Sequence, residues 1–277
     1  MPDLKQLIPE PFIRWAGGKR WLLKYINELL PPVINNYHEP FLGGGSIFWH
    51  LKNSNKITGN TFLSDINDEL INCYIQIQHN SPAIIEILRQ YRNDKDLYYD
   101  VRDAVPNNEL HKAARFLFLN ATSYNGIYRV NREGNYNVPF GYRKKDKLFD
   151  FDNIIRCSTL LDETVNFRAG DFGGVMDNLE EGDFVFLDPP YTVAHENNGF
   201  IQYNQHIFSW EDQERLAELL QHISDNHAFF VLTNAAHTSI EELFGNLGEL
   251  HRLQRHSTIG GRGAARDAVN EFVFTNL

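Results

Sequence analysis

Two short segments carry side chains whose types and spacing could do chemistry. The first is FLGGGS, Phe41 to Ser46, where Gly43, Gly44 and Gly45 let the backbone come close to a ligand. Asp65 ends the next apolar stretch 20 residues after Gly45. A carboxylate so placed after a glycine turn is where an α/β nucleotide site accepts both hydroxyl protons of a ribose. Glycines in a turn serve φ > 0 geometry equally well with no ligand at all. WAGGKR, Trp15 to Arg20, is not a triphosphate loop, because Arg20 follows Lys19 where a Mg2+-binding hydroxyl would be needed. Lys19 then reads either as a ligand contact or as a solvated lysine, and the ligand indicated is a nucleoside without a cradled triphosphate. The second segment is DPPY, Asp188 to Tyr191. Consecutive prolines cannot continue a ladder, so carbonyls beside a carboxylate and an aromatic ring are left to accept hydrogen bonds from a ligand. A strand-ending turn with a surface acid is the plainer alternative.

Those segments need a rigid frame. A strand over Tyr37 to Phe41, the glycine turn, a helix that Ser46 opens, a strand over Thr61 to Ser64 and then Asp65 make the first unit of an open parallel α/β sheet. Upstream, Leu22, Leu23, Ile26, Leu29 and Leu30 predict one helix, stopped by Pro31 and Pro32. Asp183 to Leu187 (DFVFL) reads as a buried parallel strand that delivers Asp188 to the carboxyl edge, where open sheets bind ligands. Ser209 and Asp212 cap a helix with Leu216, Leu219, Leu220 and Ile223 on one face, and strands over Phe229 to Thr233 and Phe272 to Thr275 complete the set. From Asn67 to Asp152 the apolar spacing is helical (Leu70, Ile71, Tyr74, Ile77, Ala113, Phe116, Leu117). This stretch ends in SYNGIYRVNREGNYNVPFGYRKKDK, whose Asn125-Gly126 and Glu133-Gly134 turn signals suit a hairpin or extended loop. The domains expected are a catalytic one, 1–66 and 157–277, and one inserted within it, 67–156.

The 277 residues, 42% apolar and 13% aromatic, can bury a full core, and no apolar run approaches a membrane span. The first residues lack a signal peptide's pattern and Cys73 and Cys157 form no disulfide framework, so a reducing, cytoplasmic setting is expected. The 11 histidines show no metal-ligand spacing beside other ligands, and no metal is expected. The net charge of −10 argues at first against a nucleic-acid partner. Yet Ile13 to Tyr25, Arg129 to Lys147 and Arg252 to Arg266 each carry a net +4, which leaves −22 on the rest. Charge runs are often solvated faces, but only local charge can report a binding face.

RWAGGK (Arg14 to Lys19), EPFLGGGSIF (Glu39 to Phe48), LSDIN (Leu63 to Asn67), GDF (Gly170 to Phe172) and LDPPY (Leu187 to Tyr191) resemble, in that order, the motifs of the Dam-type (D12 class, alpha group) DNA adenine-N6 methyltransferases. The resemblance covers Ile13 to Asn276, and five motifs in order are specific. It implies a Rossmann-like methyltransferase sheet with helices on both faces, plus an inserted, mainly helical target-recognition domain with a hairpin loop. It implies S-adenosyl-L-methionine as cofactor, contacted by Trp15, Ala16, Gly17, Lys19, Glu39, Phe41, Gly43, Gly44, Gly45, Ser46, Asp65, Ile66, Asp171, Phe172 and Asp188. Asp65 would take the ribose hydroxyls, Asp171 the cofactor's adenine amine, and Phe172 would stack on that ring. Asp188, Pro189, Pro190 and Tyr191 would be the catalytic set. An adenine amine is a poor nucleophile because its lone pair is delocalised; the Asp188 carboxylate and Pro189 carbonyl would accept its two N–H bonds while Tyr191 stacks on the base.

The same resemblance implies double-stranded DNA as partner. Tyr124 would enter the base stack beside a flipped adenine, Arg129 would read guanine, and Arg14 and Ile127 would lie at neighbouring pairs. Asn125, Asn131, Asn137, Pro139, Lys144 and Lys145 join them as DNA-binding candidates. The site implied is GATC or a relative; the C-terminal RHSTIGGRGAARDAVNEFVFTN departs from the best-known members, which leaves the outer bases open. A monomer is expected, or two copies on a palindromic site. Two other readings stand beside this one, an RNA adenine-N6 methyltransferase and a binding module without turnover; the Tyr124 to Arg129 loop speaks against the first, and Lys19, Asp65, Asp188 and Tyr191 against the second.

Overall fold

The computed structural model describes residues 8–131, 133–142, 147–191, 208–256 and 268–277. In chain order it contains β1 (Tyr37–Glu39), α1 (Ser46–Asn53), β2 (Thr61–Asp65), α2 (Asp68–Leu88), α3 (Lys95–Asp103), α4 (Glu109–Thr122), α5 (Phe151–Leu160), β3 (Val165–Ala169), β4 (Phe184–Leu187), α6 (Trp210–Asp225), β5 (Phe229–Ala235), α7 (Thr238–Phe244), β6 (Glu249–His256) and β7 (Ala268–Thr275). The strands form one sheet in the order β3-β2-β1-β4-β5-β7-β6. The protein is therefore α/β, as its sequence predicts.

The chain divides into two compact units. One comprises Met1–Arg20, Leu42–Lys56 and Leu63–Gly170. Helices α2 to α5 start where side chains can satisfy the first backbone N–H groups: Asn67 accepts from Leu70, Asp94 from Leu97, Asn108 from His111 and Asp150 from Asn153. The long helix α2 kinks at Asn80, two residues before Pro82. Tyr98, Phe118, Leu119, Tyr136, Val138 and Phe140 form a core beneath residues 123–142.

The second unit comprises Trp21–Phe41, Ile57–Phe62 and Asp171–Leu277. Here β1 pairs in parallel with β4, and β4 with β5, while β7 lies antiparallel between β5 and β6. The strand order reverses between β1 and β4, which marks the switch point where an open sheet binds its ligand. β4 is apolar at every position and fully buried, as the DFVFL run predicts. Ser209 and Asp212 form the capping box of α6, whose Leu216, Leu219, Leu220 and Ile223 pack with Val185, Leu187, Phe230 and Leu232.

Two local expectations are corrected. The single helix predicted before Pro31 is two short 3-10 segments, Arg20–Lys24 and Ile26–Leu29, because the hydrogen bonds from Tyr25 N to Leu22 O and Glu28 N to Tyr25 O span three residues rather than four. Helix α1 is capped by Gly45 at φ +63°, with Ser46 as its first residue and no side-chain cap. The described residues between 123 and 142 pair as an irregular antiparallel hairpin, in line with the Asn125-Gly126 and Glu133-Gly134 turn signals. A 3-10 turn over Tyr124–Gly126 and the antiparallel bridges Ser123–Phe140 and Val130–Tyr136 shape them.

Candidate active site

In the second unit the DPPY turn leaves the carboxyl end of β4 at the switch point, where Asp188 was expected. Thr233 of β5, fully buried, donates its hydroxyl to Asp188 Oδ1 at 2.8 Å. Tyr191 donates its hydroxyl to Glu271 Oε2 of β7 at 2.7 Å. The carboxylate is thus held by a side chain from the adjacent strand β5, and the ring by one from β7 beyond it. Pro189 is buried and Pro190 half-buried. At the end of β1, the Phe41 ring stacks on Phe172 at 5.4 Å between centroids, with Phe208 against both. Asp171 accepts from Gly173 N and from Arg215, whose guanidinium lies 4.7 Å from the centre of the Phe172 ring. Glu39 is buried and accepts the Tyr37 hydroxyl at 2.7 Å; burial, then the Glu39 charge, holds that phenol's pKa well up.

In the first unit the glycine turn is closed by Asp65. Its Oδ2 accepts from Gly43 N and its Oδ1 from Asn67 N, each at 3.0 Å. Burial raises its pKa above the usual carboxylate range, against the opposing pull of the backbone N–H groups of Asn67, Gly43 and Ile66. Gly43 sits at φ +47°, and a Cβ there would come within 2.6 Å of Trp15 Cδ1, so only glycine fits. The Trp15 indole is stacked on Phe116 and Tyr128 at 6.3 and 5.8 Å. Lys19 is only 5% exposed and donates to Gly17 O at 3.2 Å, which removes the solvated-lysine reading. Ala16 and Gly17 are exposed, Gly44 and Ser46 half-buried, and Ile66 is 72% exposed beside the carboxylate.

The expected recognition residues lie in the same unit. Asn120 of α4 accepts from Arg14 N at 2.9 Å and donates to Arg14 O and Gly126 O, tying the N-terminal segment to the Tyr124–Gly126 turn. Tyr124 is 55% exposed and Asn125 takes the left-handed conformation at φ +57°. Arg129 is exposed and donates from Nε to Asn137 Oδ1 at 2.7 Å. Ile127 and Asn137 are half-buried and Pro139 exposed. Asn131 builds the next turn, its Oδ1 accepting from Glu133 N and Asn135 N. Beneath, the Tyr128 hydroxyl donates to Glu69 at 2.8 Å, and burial followed by the Glu69 charge raises its pKa. Lys144, Lys145 and most of the Arg252 to Arg266 segment lie outside the described residues.

Thr233, Glu271, Asn120, Arg215, Tyr128 and Glu69 were not singled out by sequence reasoning. Two had a legible signal: Thr233 is a polar side chain closing one expected strand, and Glu271 directly precedes the apolar run of another. Both cysteines are buried, which pushes the Cys157 thiol up to about 12 and Cys73 higher still, so neither supplies a thiolate near neutrality. Among the described residues no cluster of three or more His, Cys, Asp or Glu could hold a metal, and no helix is long and apolar enough to cross a membrane.

A sheet of this order, with a carboxylate, prolines and an aromatic ring at its switch point, defines a doubly wound α/β protein of the ligand-binding kind. Residues 15–259 match the family described as D12 class N6 adenine-specific DNA methyltransferase. The type II methyltransferase M1.LlaDCHI of Lactococcus lactis subsp. cremoris is 34% identical over 275 residues, spanning 96% of this chain and 95% of its own. M.MjaIII of Methanocaldococcus jannaschii is 34% identical over 290 residues, 96% and 99% of the two chains. The DNA adenine methylase of Salmonella typhimurium is 29% identical over 268 residues, 95% and 93%. The chain belongs to the D12 class of N6 adenine-specific DNA methyltransferases.

Proposed function

We propose that this enzyme methylates the N6 amine of an adenine extruded from a short duplex site, GATC or a close relative, using S-adenosylmethionine. The observation that carries the reading is the DPPY turn, with Asp188 held by Thr233 and Tyr191 by Glu271 at the end of β4. Family membership supports the donor, and the residues fit it. Asp65 stands beside the glycine turn with a carboxylate able to accept from a ribose hydroxyl, and Ile66 offers an open apolar surface next to it. When bound, S-adenosylmethionine supplies an electrophilic methyl on a sulfonium. Trp15, Ala16, Gly17, Lys19, Gly43, Gly44, Gly45, Ser46, Glu39, Phe41, Asp171 and Phe172 are assigned to holding it.

The chain's own task is to make a poor nucleophile react. The Asp188 carboxylate and the Pro189 carbonyl accept the two amine N–H bonds, direct the nitrogen lone pair at the methyl and stabilise the positive charge that develops on nitrogen. The hydrogen bond from Thr233 holds the carboxylate in one orientation for the amine. Pro190 keeps the turn out of the sheet ladder, and Tyr191 stacks on the base. Extrusion of the base costs a few kcal/mol, which that stacking offsets in part.

Residues 67–156 carry target recognition in this reading, with 1–66 and 157–277 as the catalytic domain. Exposed Tyr124 fills the gap in the stack, Arg129 reads a guanine from the rigid Asn137 support, and Arg14, anchored by Asn120, contacts a neighbouring pair. One copy acts at a time, or two on a palindrome. The test is transfer of labelled methyl groups to duplex DNA and to RNA, with the modified adenines mapped by sequencing. Label confined to adenines of one short duplex motif supports the reading; label on RNA adenines, or on no shared motif, overturns it.

A further inference from the structure

Glu271 is a carboxylate only 1% exposed, set in a strand whose next residues are Phe272, Val273 and Phe274. On β7 it stands opposite Ala235 of β5 and Leu253 of β6. Burying a carboxylate is costly, and an apolar side chain of similar volume usually stabilises a sheet at least as well. The carboxylate accepts the hydroxyl of Tyr191 at 2.7 Å. A charge-assisted hydrogen bond of that length is among the strong ones, and it fixes both the direction of the phenol and the plane of its ring.

We propose that Glu271 is a positioning residue for methyl transfer, acting through Tyr191. This rests on the reading above that Tyr191 stacks on the target adenine. By pulling on the hydroxyl proton, the carboxylate enriches the π face of the ring. A richer face attracts the adenine more strongly as positive charge develops on it than it attracts the neutral base. The effect therefore falls on the rate of transfer and not on donor binding.

The experiment compares the unaltered full-length chain with Glu271→Gln, Tyr191→Phe and the double variant, in single-turnover methylation of duplex DNA. Each single change is expected to slow transfer by about tenfold, the worth of one charge-assisted hydrogen bond. Affinity for S-adenosylhomocysteine stays unchanged in both. The double variant is expected to be no slower than the slower single one, because both changes cut the same contact. A 2-aminopurine at the target position is expected to show the same altered fluorescence in both single variants, since its emission follows its stacking on the ring. Equal slowing by Glu271→Gln with and without Tyr191→Phe overturns the inference, because Glu271 would then act without the ring. Should Glu271→Gln fail to fold, Tyr191→Phe alone decides: an unchanged transfer rate overturns the inference. If the unaltered chain methylates no adenine, the functional reading falls and this inference with it; normal methylation with an unaffected Tyr191→Phe removes only the inference.

Discussion

Gly43→Ala is the substitution whose cost the geometry fixes most closely. At φ +47° the residue occupies the left-handed region, which costs any side chain roughly 1–2 kcal/mol. The new Cβ would also lie 2.6 Å from Trp15 Cδ1 and 2.9 Å from Nε1, and the indole is pinned against Phe116 and Tyr128. Overpacking of this kind adds about 1–3 kcal/mol. The total is about 2–5 kcal/mol, and at roughly 2–4 °C per kcal/mol for a chain of this size it lowers Tm by about 4–20 °C. Gly44→Ala is the control. Its φ is not in the left-handed region and its Cβ would meet Trp15 Cβ at an ordinary 3.4 Å, so it stays within about 0.5 kcal/mol of the parent. The double variant Gly43→Ala, Trp15→Ala should cost less than the sum of its parts, because removing the indole relieves the clash. Thermal unfolding followed by circular dichroism reads all four. A Gly43→Ala protein that melts with Gly44→Ala would refute the packing argument.

Asp65→Asn keeps the shape of the side chain but not the charge that would accept two hydroxyls, and should weaken binding of S-adenosylhomocysteine by about 10- to 100-fold in calorimetry. Burial raises the Asp65 pKa, so affinity in the parent should fall on acidification from above the usual carboxylate range. For the same reason Asp65 removes stability as pH rises between its unfolded and folded pKa values, a slope that Asp65→Asn should flatten in pH-dependent melting. Thr233→Val deletes the donor to Asp188 at nearly constant volume; single-turnover transfer should drop about tenfold with donor affinity intact, and an unchanged rate would mean Asp188 needs no such support. Arg129→Ala should relax discrimination at one base pair by about 1–3 kcal/mol, measured by competing duplexes, and a preserved preference would remove Arg129 from reading.

What the sequence could and could not announce follows from which forces act locally. β4 was legible because FVFL is apolar throughout and lies between the Gly182-Asp183 pair and the Asp188-Pro189-Pro190 run, and α6 because its cap and its apolar face are both written within a few turns. β6, ELHRLQRH, was not, since its strand character comes from pairing with β7 and its composition is polar. β3, VNFRA, hid for a similar reason, with three of its five residues exposed. The 3-10 segments before Pro31 carry the apolar spacing of an α-helix and bury Leu22, Ile26 and Leu29; only the hydrogen-bond pattern tells the two apart. At the site, Gly43, Asp65 and Asp188 announced themselves through residue type and spacing. The supports for them could not: Asn120 reaches Arg14 across 106 residues, and Glu271 reaches Tyr191 across 80. Such partners are chosen by tertiary folding, and a buried polar residue in an apolar strand is the one local trace they leave.

Asp188→Ala removes the carboxylate that, with the Pro189 carbonyl, draws the adenine amine into position for methyl transfer. Donor affinity by calorimetry and labelled-methyl transfer to duplex DNA are measured on the same preparation. S-adenosylmethionine binding is expected to stay close to that of the parent, with methyl transfer lost. Substantial transfer by Asp188→Ala with the donor still bound would contradict that role.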